Sequence, residues 1–279
     1  MVRRALAILA FVILGLSASR VQAGEAPCWV DNGAVLVSAA IGDIAGDFIL
    51  DLSAPQSQLH VTTAQADGFG DSGAMAGPLR LAGERLPARL TVAELDARTL
   101  GYPSTIDGLI GADTLAGWVV DVRLAPCRLT LRRRAPPLRA ARLPIVWIGG
   151  VPTLPASITD GRRGLAGRFA IDTGSAGVRV STALAGLNRA PRKSVDPASR
   201  IRPPARLAGL GLAGDALAHL RGGLMPDAPE GVAGGVGTEV LARYALRLDL
   251  KRNEAVLTPL SAPRSARSGG SSRRAGPRR

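Results

Sequence analysis

The 279-residue sequence has few aromatic side chains and few of the side chains that bind metals. Only 3% of its residues are Phe, Trp or Tyr, which argues against a surface that stacks the bases of a single-stranded nucleic acid. It has two cysteines and two histidines, His60 and His219, and their spacing matches no zinc motif. Hydrophobic residues still make up 46% of the chain, so we expect a globular protein. We expect it to bind neither a metal nor an organic cofactor.

Acidic residues are missing from three stretches of the chain, and these stretches account for its positive charge. The formal net charge is +13. Residues 1–23, 132–142 and 261–279 together carry fourteen arginines and no Asp or Glu, which leaves a charge of −1 on the remainder. A basic protein often binds nucleic acid or an anionic membrane. Here the excess charge lies outside the predicted globular parts, so we expect no nucleic-acid partner.

Long apolar runs are also lacking, except at the N-terminus. Residues 1–23 begin with two arginines, continue with a 12-residue apolar stretch and end in Val21-Gln22-Ala23, which is typical of a cleaved signal peptide. The apolar stretch is shorter than the roughly 20 residues that span a bilayer, so an uncleaved anchor is the less favoured interpretation. We therefore expect an exported protein, periplasmic or extracellular, with no membrane span after signal cleavage.

The cysteine pair fits such a compartment. In an exported protein Cys28 and Cys127 are expected to form a disulfide that ties the start of the first half of the chain to its end. The alternative is a pair of buried free thiols.

The chain contains an internal repeat, which is its most informative feature. Residues 45–51 resemble residues 166–172, so that Asp51 and Asp172 stand at equivalent positions. Short apolar segments separated by Gly, Pro and Asp predict β-strands, with helices only at 114–116 and 238–242. The sequence thus predicts an all-β protein with two similar lobes. Three further matches pair residues 61–64 with 180–183, 80–83 with 206–209, and 108–111 with 234–237.

The segment Ile171-Asp172-Thr173-Gly174-Ser175 follows an apolar strand and resembles the active-site signature of the aspartic peptidases. In that family each lobe also carries two hydrophobic residues and a glycine further along the chain, where this sequence has residues 109–111 and 235–237. The resemblance covers roughly residues 28–260 and implies a bilobal, pepsin-like fold made of two retropepsin-like lobes. Together with the composition of the rest of the chain, this predicts a signal peptide at 1–23, an N-terminal lobe at 24–131, a Pro/Arg-rich connector at 132–145, a C-terminal lobe at 146–260 and a disordered basic tail at 261–279.

The same resemblance implies that Asp51 and Asp172 form a catalytic dyad. Two carboxylates held close together share one proton, so one can activate a water molecule while the other polarises a peptide carbonyl. Thr173 would bond across to the other lobe, Gly174 would let the two loops approach, and Ser175 and Ser53 would support the acids. The expected partner is a peptide or protein substrate in the cleft between the lobes, and the expected oligomeric state is a monomer.

The first lobe departs from the family pattern, because it reads Asp51-Leu52-Ser53-Ala54 where the family has Asp-Thr-Gly. Leu52 has no hydroxyl with which to lock the lobes, and we expect Ser53 either to crowd the dyad or to strain the backbone. Two hypotheses follow. The protein is either an aspartic-type endopeptidase with fewer hydrogen bonds between its lobes, or a catalytically impaired protein of the same fold that serves as a peptide- or protein-binding module in the cell envelope. A third, weaker hypothesis is an envelope protein that interacts through its basic tail.

Three other sequence patterns could indicate a flap, a cofactor site or a serine-hydrolase site. The Gly-rich residues 68–73 are a candidate for the flap that covers the cleft in the family, but an ordinary surface loop explains them equally well. Residues 209–214 match a dinucleotide-binding motif literally, yet no strand–turn–helix unit is predicted around them. Neither His60 nor His219 lies in the sequence context of a serine-hydrolase triad. We therefore expect neither a dinucleotide cofactor nor a nucleophilic serine.

Overall fold

A computed structural model describes residues 24–134, 138, 140–162, 164–185 and 205–260. The predicted signal peptide, the basic tail and part of the connector lie outside the described residues. None of the helices in the described part is long and apolar enough to cross a membrane.

The described residues form mainly β-strands. The first half contains β1 (Glu25–Pro27), β2 (Trp29–Asp31), β3 (Ala34–Ile41), β4 (Ile44–Leu50), β5 (Gln58–His60), α1 (Val61–Ala66), β6 (Ala74–Leu81), β7 (Glu84–Ala93), α2 (Asp96–Thr99), β8 (Ile106–Ile110), α3 (Ala112–Leu115), β9 (Val119–Leu124) and β10 (Cys127–Arg132). The second half contains β11 (Leu143–Pro144), β12 (Val146–Ile148), β13 (Val151–Thr159), β14 (Gly164–Ile171), β15 (Val178–Ser181), α4 (Thr182–Ala185), β16 (Ala205–Leu212), β17 (Asp215–Met225), β18 (Gly234–Val236), α5 (Thr238–Leu241), β19 (Tyr244–Asp249) and β20 (Glu254–Pro259). The two predicted helices correspond to α3 and α5, whereas α1, α2 and α4 were not predicted.

Each half of the chain forms a seven-stranded sheet, and the two sheets have the same topology. The strand order is β2-β3-β4-β8-β5-β7-β6 in the first lobe and β12-β13-β14-β18-β15-β17-β16 in the second. Additional pairing of β3 with β6, and of β13 with β16, closes each sheet into a barrel. The prediction of two similar all-β lobes is confirmed.

A third sheet joins the lobes. Its six strands are in the order β1-β10-β9-β19-β20-β11, so both halves of the chain contribute to it. At its centre β9 pairs with β19, and Arg247 on β19 donates a hydrogen bond of 2.6 Å from Nε to Oδ1 of Asp121 on β9. The two lobes therefore share a continuous hydrogen-bonded base.

The predicted disulfide is also confirmed. Cys28, between β1 and β2, is bonded to Cys127 at the start of β10, and the two residues are 99 positions apart. This bond fastens the N-terminal strands to the base of the first lobe and is compatible with an exported protein.

Two of the four sequence matches in the repeat are out of register. Gln58 pairs with Leu109 in the first lobe, and Arg179 pairs with Gly235 at the equivalent place in the second. Residues 61–64 therefore do not correspond to residues 180–183, because the sequence match is displaced by two positions.

The other mismatched pair, residues 80–83 with 206–209, concerns a hairpin turn. Residues 82–83 connect β6 to β7, and the equivalent connection between β16 and β17 is at residues 213–214. The triplet Leu-Ala-Gly occurs at both 207–209 and 212–214. The sequence comparison paired the first copy with residues 81–83, whereas the structure pairs the second copy with them. The glycine run at 209–214 thus belongs to a β-hairpin, and a strand–turn–helix unit does not surround it.

Two phenylalanines at equivalent positions fill the interior of the two lobes. Phe48 on β4 and Phe169 on β14 are both fully buried. Each lies against a glycine of the neighbouring parallel strand, and a methyl group there would be 2.9 Å from the Phe48 ring at Gly108 and 3.1 Å from the Phe169 ring at Gly234. This packing fixes β4 and β14, whose C-terminal ends carry the two acids.

Candidate active site

Asp51 and Asp172 directly follow the equivalent strands β4 and β14. The Asp51 N–H donates to the Ile110 carbonyl and the Asp172 N–H donates to the Val236 carbonyl, both at 3.0 Å. The two acids are 1% and 0% exposed. The same backbone arrangement in each lobe therefore delivers both acids to the interface between the lobes.

Ser53 lies between the two carboxylates. Its N–H and Oγ donate to Asp51 Oδ1 at 2.8 and 2.7 Å, and Oγ is also 3.3 Å from Asp172 Oδ1. Because one hydroxyl reaches both acids, no more than two hydrogen-bond lengths separate these oxygens. The expected backbone strain at Ser53 is wrong, since its φ is not positive. Its side chain does occupy the space between the acids, where it lies within hydrogen-bond distance of both.

Only one of the two lobes supplies a hydroxyl group for a hydrogen bond to the acid loop of the other lobe. The Leu52 N–H donates to Thr173 Oγ1 at 2.9 Å, whereas Leu52 has no hydroxyl to return such a bond. Its side chain is instead fully buried in the hydrophobic core. Two more bonds cross the interface nearby, from the Val35 N–H to the Thr173 carbonyl at 2.8 Å and from Thr238 Oγ1 to the Gly33 carbonyl at 2.7 Å. Backbone contacts thus hold the loops together where the hydroxyl pair is incomplete.

Gly174 lies against the opposite acid. A Cβ atom on Gly174 would be 2.4 Å from Asp51 Cγ and 2.8 Å from Nη2 of Arg98. Only a residue without a side chain allows this approach, as the sequence pattern predicts for this position.

Two side chains from the second lobe donate to the outer oxygen of Asp172. Ser175 Oγ is 2.5 Å and Arg179 Nε is 2.6 Å from Asp172 Oδ2. Arg179, on β15, also reaches Ser53 Oγ with Nη2 at 3.3 Å, and its side chain is 25% exposed. Asp172 is therefore surrounded by donors although no part of it is accessible to solvent.

The outer oxygen of Asp51 has a different partner. Arg98 on α2 donates from Nη2 to Asp51 Oδ2 at 2.7 Å, and its side chain is 40% exposed. The position equivalent to Ser175 is Ala54, which has no hydroxyl. Arg98 thus takes, from outside the acid loop, the place that Ser175 holds in the second lobe.

Neither arginine was predicted from the sequence. A repeat reveals only residues that occur in both halves, and Arg179 corresponds to Gln58 in the first lobe. Arg98 lies on a four-residue helix with other charged residues, which is ordinary for an exposed segment. No signal in a single sequence distinguishes these arginines from the surface arginines of the chain.

The surroundings of the acids shift two pKa values. Burial and the negative charge of Asp51 raise the pKa of Asp172, although Arg179 and Ser175 act against the shift. Burial lowers the pKa of Arg98, but the charges of Asp51 and Asp172 outweigh it, so the pKa of Arg98 is raised. Burial and the neighbouring negative charge therefore favour the protonated form of Asp172.

The Gly-rich residues 68–73 connect α1 to β6 through turns and bends and do not form a β-hairpin. They are exposed, with the Phe69 side chain 45% accessible. This segment has the form of an ordinary surface loop, the second of the two interpretations given above.

One group of potential metal ligands occurs among the described residues. The ligand atoms of His60, Glu94 and Asp96 lie within 4.8 Å of one another, and His60 Nε2 is 3.2 Å from Asp96 Oδ1. Cysteine and histidine spacing in the sequence did not indicate this group. Since the Asp96 side chain is 78% exposed and such acidic clusters commonly occur without an ion, we assign no metal to it.

No protein-family model and no curated protein sequence matches this chain. Among solved structures it is similar to an aspartic proteinase from Irpex lacteus, with a TM-score of 0.50 and 14% sequence identity. The similarity covers 85% of this chain and 97% of that one. At this level of identity it shows the fold alone. The all-β, bilobal, pepsin-like fold predicted from the sequence is therefore confirmed.

Proposed function

We propose that the protein is an aspartic-type endopeptidase that hydrolyses peptide bonds with a water molecule activated between Asp51 and Asp172. The observation that carries this proposal is the placement of two buried carboxylates at equivalent strand ends, within reach of a single hydroxyl. The pepsin-like fold supports it, because that fold forms a cleft between two lobes at this point.

The unequal surroundings of the acids suggest a role for each. Asp51, charged, accepts a proton from the water molecule as the water oxygen attacks the peptide carbonyl carbon. Asp172, whose pKa is raised by burial and by the charge of Asp51, donates its proton toward the carbonyl oxygen. The tetrahedral intermediate then collapses: the amide C–N bond breaks, the leaving nitrogen takes up the proton held by Asp51, and one hydroxyl of the intermediate returns its proton to Asp172 as the C=O bond forms again. Such a reaction needs no acyl-enzyme.

A second candidate function is a peptide-binding module without turnover, and the ion pairs at the acids favour it. Arg98 and Arg179 each donate to one carboxylate, so a water molecule or a substrate would have to compete with a guanidinium group for the outer oxygen of each acid. The Ser53 hydroxyl also occupies space between the acids in which a water molecule would have to bind. The same cleft would then hold a peptide without cleaving it.

One experiment separates the two functions. The mature protein, Asp51→Asn and Asp172→Asn are incubated with a mixed peptide library from about pH 3 to about pH 8, and cleavage is followed by mass spectrometry. The endopeptidase is expected to lose about 10²- to 10⁴-fold in rate in each variant, since each removes a proton-transfer group. Thermal unfolding of each near-isosteric variant checks that the fold is intact.

Two other outcomes contradict the endopeptidase. Equal cleavage by all three proteins shows that the acids are not the dyad. Saturable peptide binding by the wild type without any cleavage assigns the cleft to a binding module.

We also propose that the protein acts in the periplasm or outside the cell. The confirmed disulfide is compatible with this location, and residues 1–23 are the proposed export signal. N-terminal sequencing of the protein from its native host tests the proposal: a chain beginning after Ala23 is expected, and a cytoplasmic chain that retains Met1 contradicts it.

A further inference from the structure

The side chains that a substrate meets first at the dyad are arginines. Asp51 and Asp172 are almost completely buried, whereas the side chains of Arg98 and Arg179 are 40% and 25% exposed. The two arginines come from non-equivalent elements, α2 and β15, yet both guanidinium groups end at the dyad. The accessible charged groups at the centre of the site are therefore the two guanidinium groups.

Each guanidinium has donors that its contact with the dyad does not use. A guanidinium carries five N–H groups. In the described structure the Arg98 side chain donates to Asp51 through Nη2 alone. Arg179 uses Nε for Asp172 and Nη2 for Ser53. Both side chains can thus bind a further acceptor while they keep their contacts with the dyad.

The position of Arg98 indicates which part of a peptide it would meet. Its Nη2 would be 2.8 Å from a Cβ atom on Gly174, the residue that also lies against Asp51. Since Arg98 donates to Asp51 and Arg179 to Asp172, a peptide bound over the two acids would lie next to both guanidinium groups.

We infer that Arg98 and Arg179 select peptides that carry an acidic side chain next to the scissile bond. This inference rests on the proposed binding of peptides at this site. A carboxylate accepts two parallel hydrogen bonds from a guanidinium, which a neutral amide cannot do because only its oxygen accepts. An acidic side chain next to the scissile bond therefore improves binding through the donors that the dyad leaves unused.

The test uses pairs of fluorogenic peptides that differ only by Glu or Gln on one side of the scissile bond, with one pair for each side. The proteins are the wild type, Arg98→Met, Arg179→Met and the double variant. Arg128→Met serves as the control, because Arg128 is 57% exposed and pairs with Glu25 on the sheet beneath the lobes. We expect kcat/KM of the wild type and the control to favour a Glu peptide by at least about tenfold, the size of one charge-assisted hydrogen bond.

Each single Met variant is expected to reduce this preference, and the double variant to abolish it. Arg179→Lys is used if Arg179→Met does not fold. Lysine retains the positive charge but lacks the planar guanidinium group that donates two parallel hydrogen bonds. This variant is expected to keep only part of the preference for Glu peptides. Equal cleavage of Glu and Gln peptides by the wild type overturns the inference and leaves the endopeptidase intact. A Glu preference that persists in the double variant also overturns it.

Peptide binding distinguishes this inference from the proposed function. If no peptide is cleaved, fluorescence anisotropy of the same labelled peptides measures the preference directly. If Glu peptides bind at least about tenfold more tightly than Gln peptides, and the double variant loses this difference, the inference is supported although the endopeptidase proposal fails. Equal binding of both peptides overturns it.

Discussion

The loop that follows β4 and the loop that follows β14 have the same backbone hydrogen bonds and different side-chain partners. In both, the N–H of the acid donates to the strand alongside at 3.0 Å. The outer oxygen of Asp172 accepts from Ser175 and Arg179, whereas that of Asp51 accepts from Arg98 alone. The repeated barrel thus fixes where the acids lie, while side chains that differ between the two lobes determine their hydrogen-bond partners.

The difference between the lobes also makes the two acids unequal. A symmetric pair would give no reason for one acid to hold the proton. Here Ser53 supplies an N–H and a hydroxyl to Asp51, while Asp172 is buried next to the charge of Asp51, which raises its pKa. This asymmetry supports the roles proposed above, in which Asp172 carries the proton.

The largest expected effect concerns the disulfide, which only the first lobe possesses. Cys28→Ser and Cys127→Ser are each expected to lower the free energy of unfolding by about 2–5 kcal/mol, because the bond closes a long loop of the unfolded chain. Denaturant unfolding measures the loss, and hydrogen exchange locates it. We expect the amides of β2 and β10 to lose protection while those of β14 and β18 retain it; an equal loss in both lobes contradicts the assignment of the bond to first-lobe stability.

Gly174→Ser makes the second acid loop more like the first. Since a Cβ atom there would be 2.4 Å from Asp51 Cγ, we expect a loss of about 1–3 kcal/mol in unfolding free energy from overpacking. Displacement of Asp51 by about 1 Å should also reduce peptide hydrolysis by about 100-fold. The control is Gly117→Ser, because a Cβ atom at Gly117 has no neighbour within 4 Å. Similar behaviour of the two variants would show that the close approach has no role.

Ser53→Gly is the reverse exchange and should have a smaller effect on stability. It removes the hydroxyl between the acids and leaves the backbone N–H that binds Asp51, so we expect a loss of about 0.5–1.5 kcal/mol. Removal of the hydroxyl also makes room for a water molecule, and kcat for peptide hydrolysis should rise. A lower kcat at unchanged KM would instead show that the hydroxyl aligns the dyad.

The sequence predicted the acids and the disulfide partners but not the arginines. Asp51 and Asp172 stand out because they end the same apolar strand in both halves, and strand periodicity and repeat position survive in a single sequence. Arg98 and Arg179 reach the dyad only after α2 and β15 are folded against it, and the counterpart of Arg179 in the first lobe is Gln58, so the repeat does not single it out. Short matches such as Leu-Ala-Gly also misplaced part of the repeat, because strand register depends on pairing across the sheet.

The pH dependence of stability should reflect the surroundings of Asp172. Burial and the charge of Asp51 raise its pKa in the folded state above its ordinary value of 3.8. Protonated Asp172 therefore contributes stability that is fully present below that ordinary value and is lost as the pH rises through the raised pKa. The unfolding free energy of the wild type minus that of Asp172→Asn, measured across this range, is expected to fall as the pH rises. A difference that grows with pH contradicts the direction of the shift.

The inequality of the two acids is tested most directly by carbon NMR of the Asp172 carboxyl group, titrated in the wild type and in Asp51→Asn. We expect the Asp172 midpoint in the wild type to lie above the ordinary aspartate value of 3.8, and to move down when the charge of Asp51 is removed. A wild-type midpoint at or below the ordinary value, or one that is unchanged in Asp51→Asn, would contradict the assignment of Asp172 as the proton carrier beside a charged Asp51.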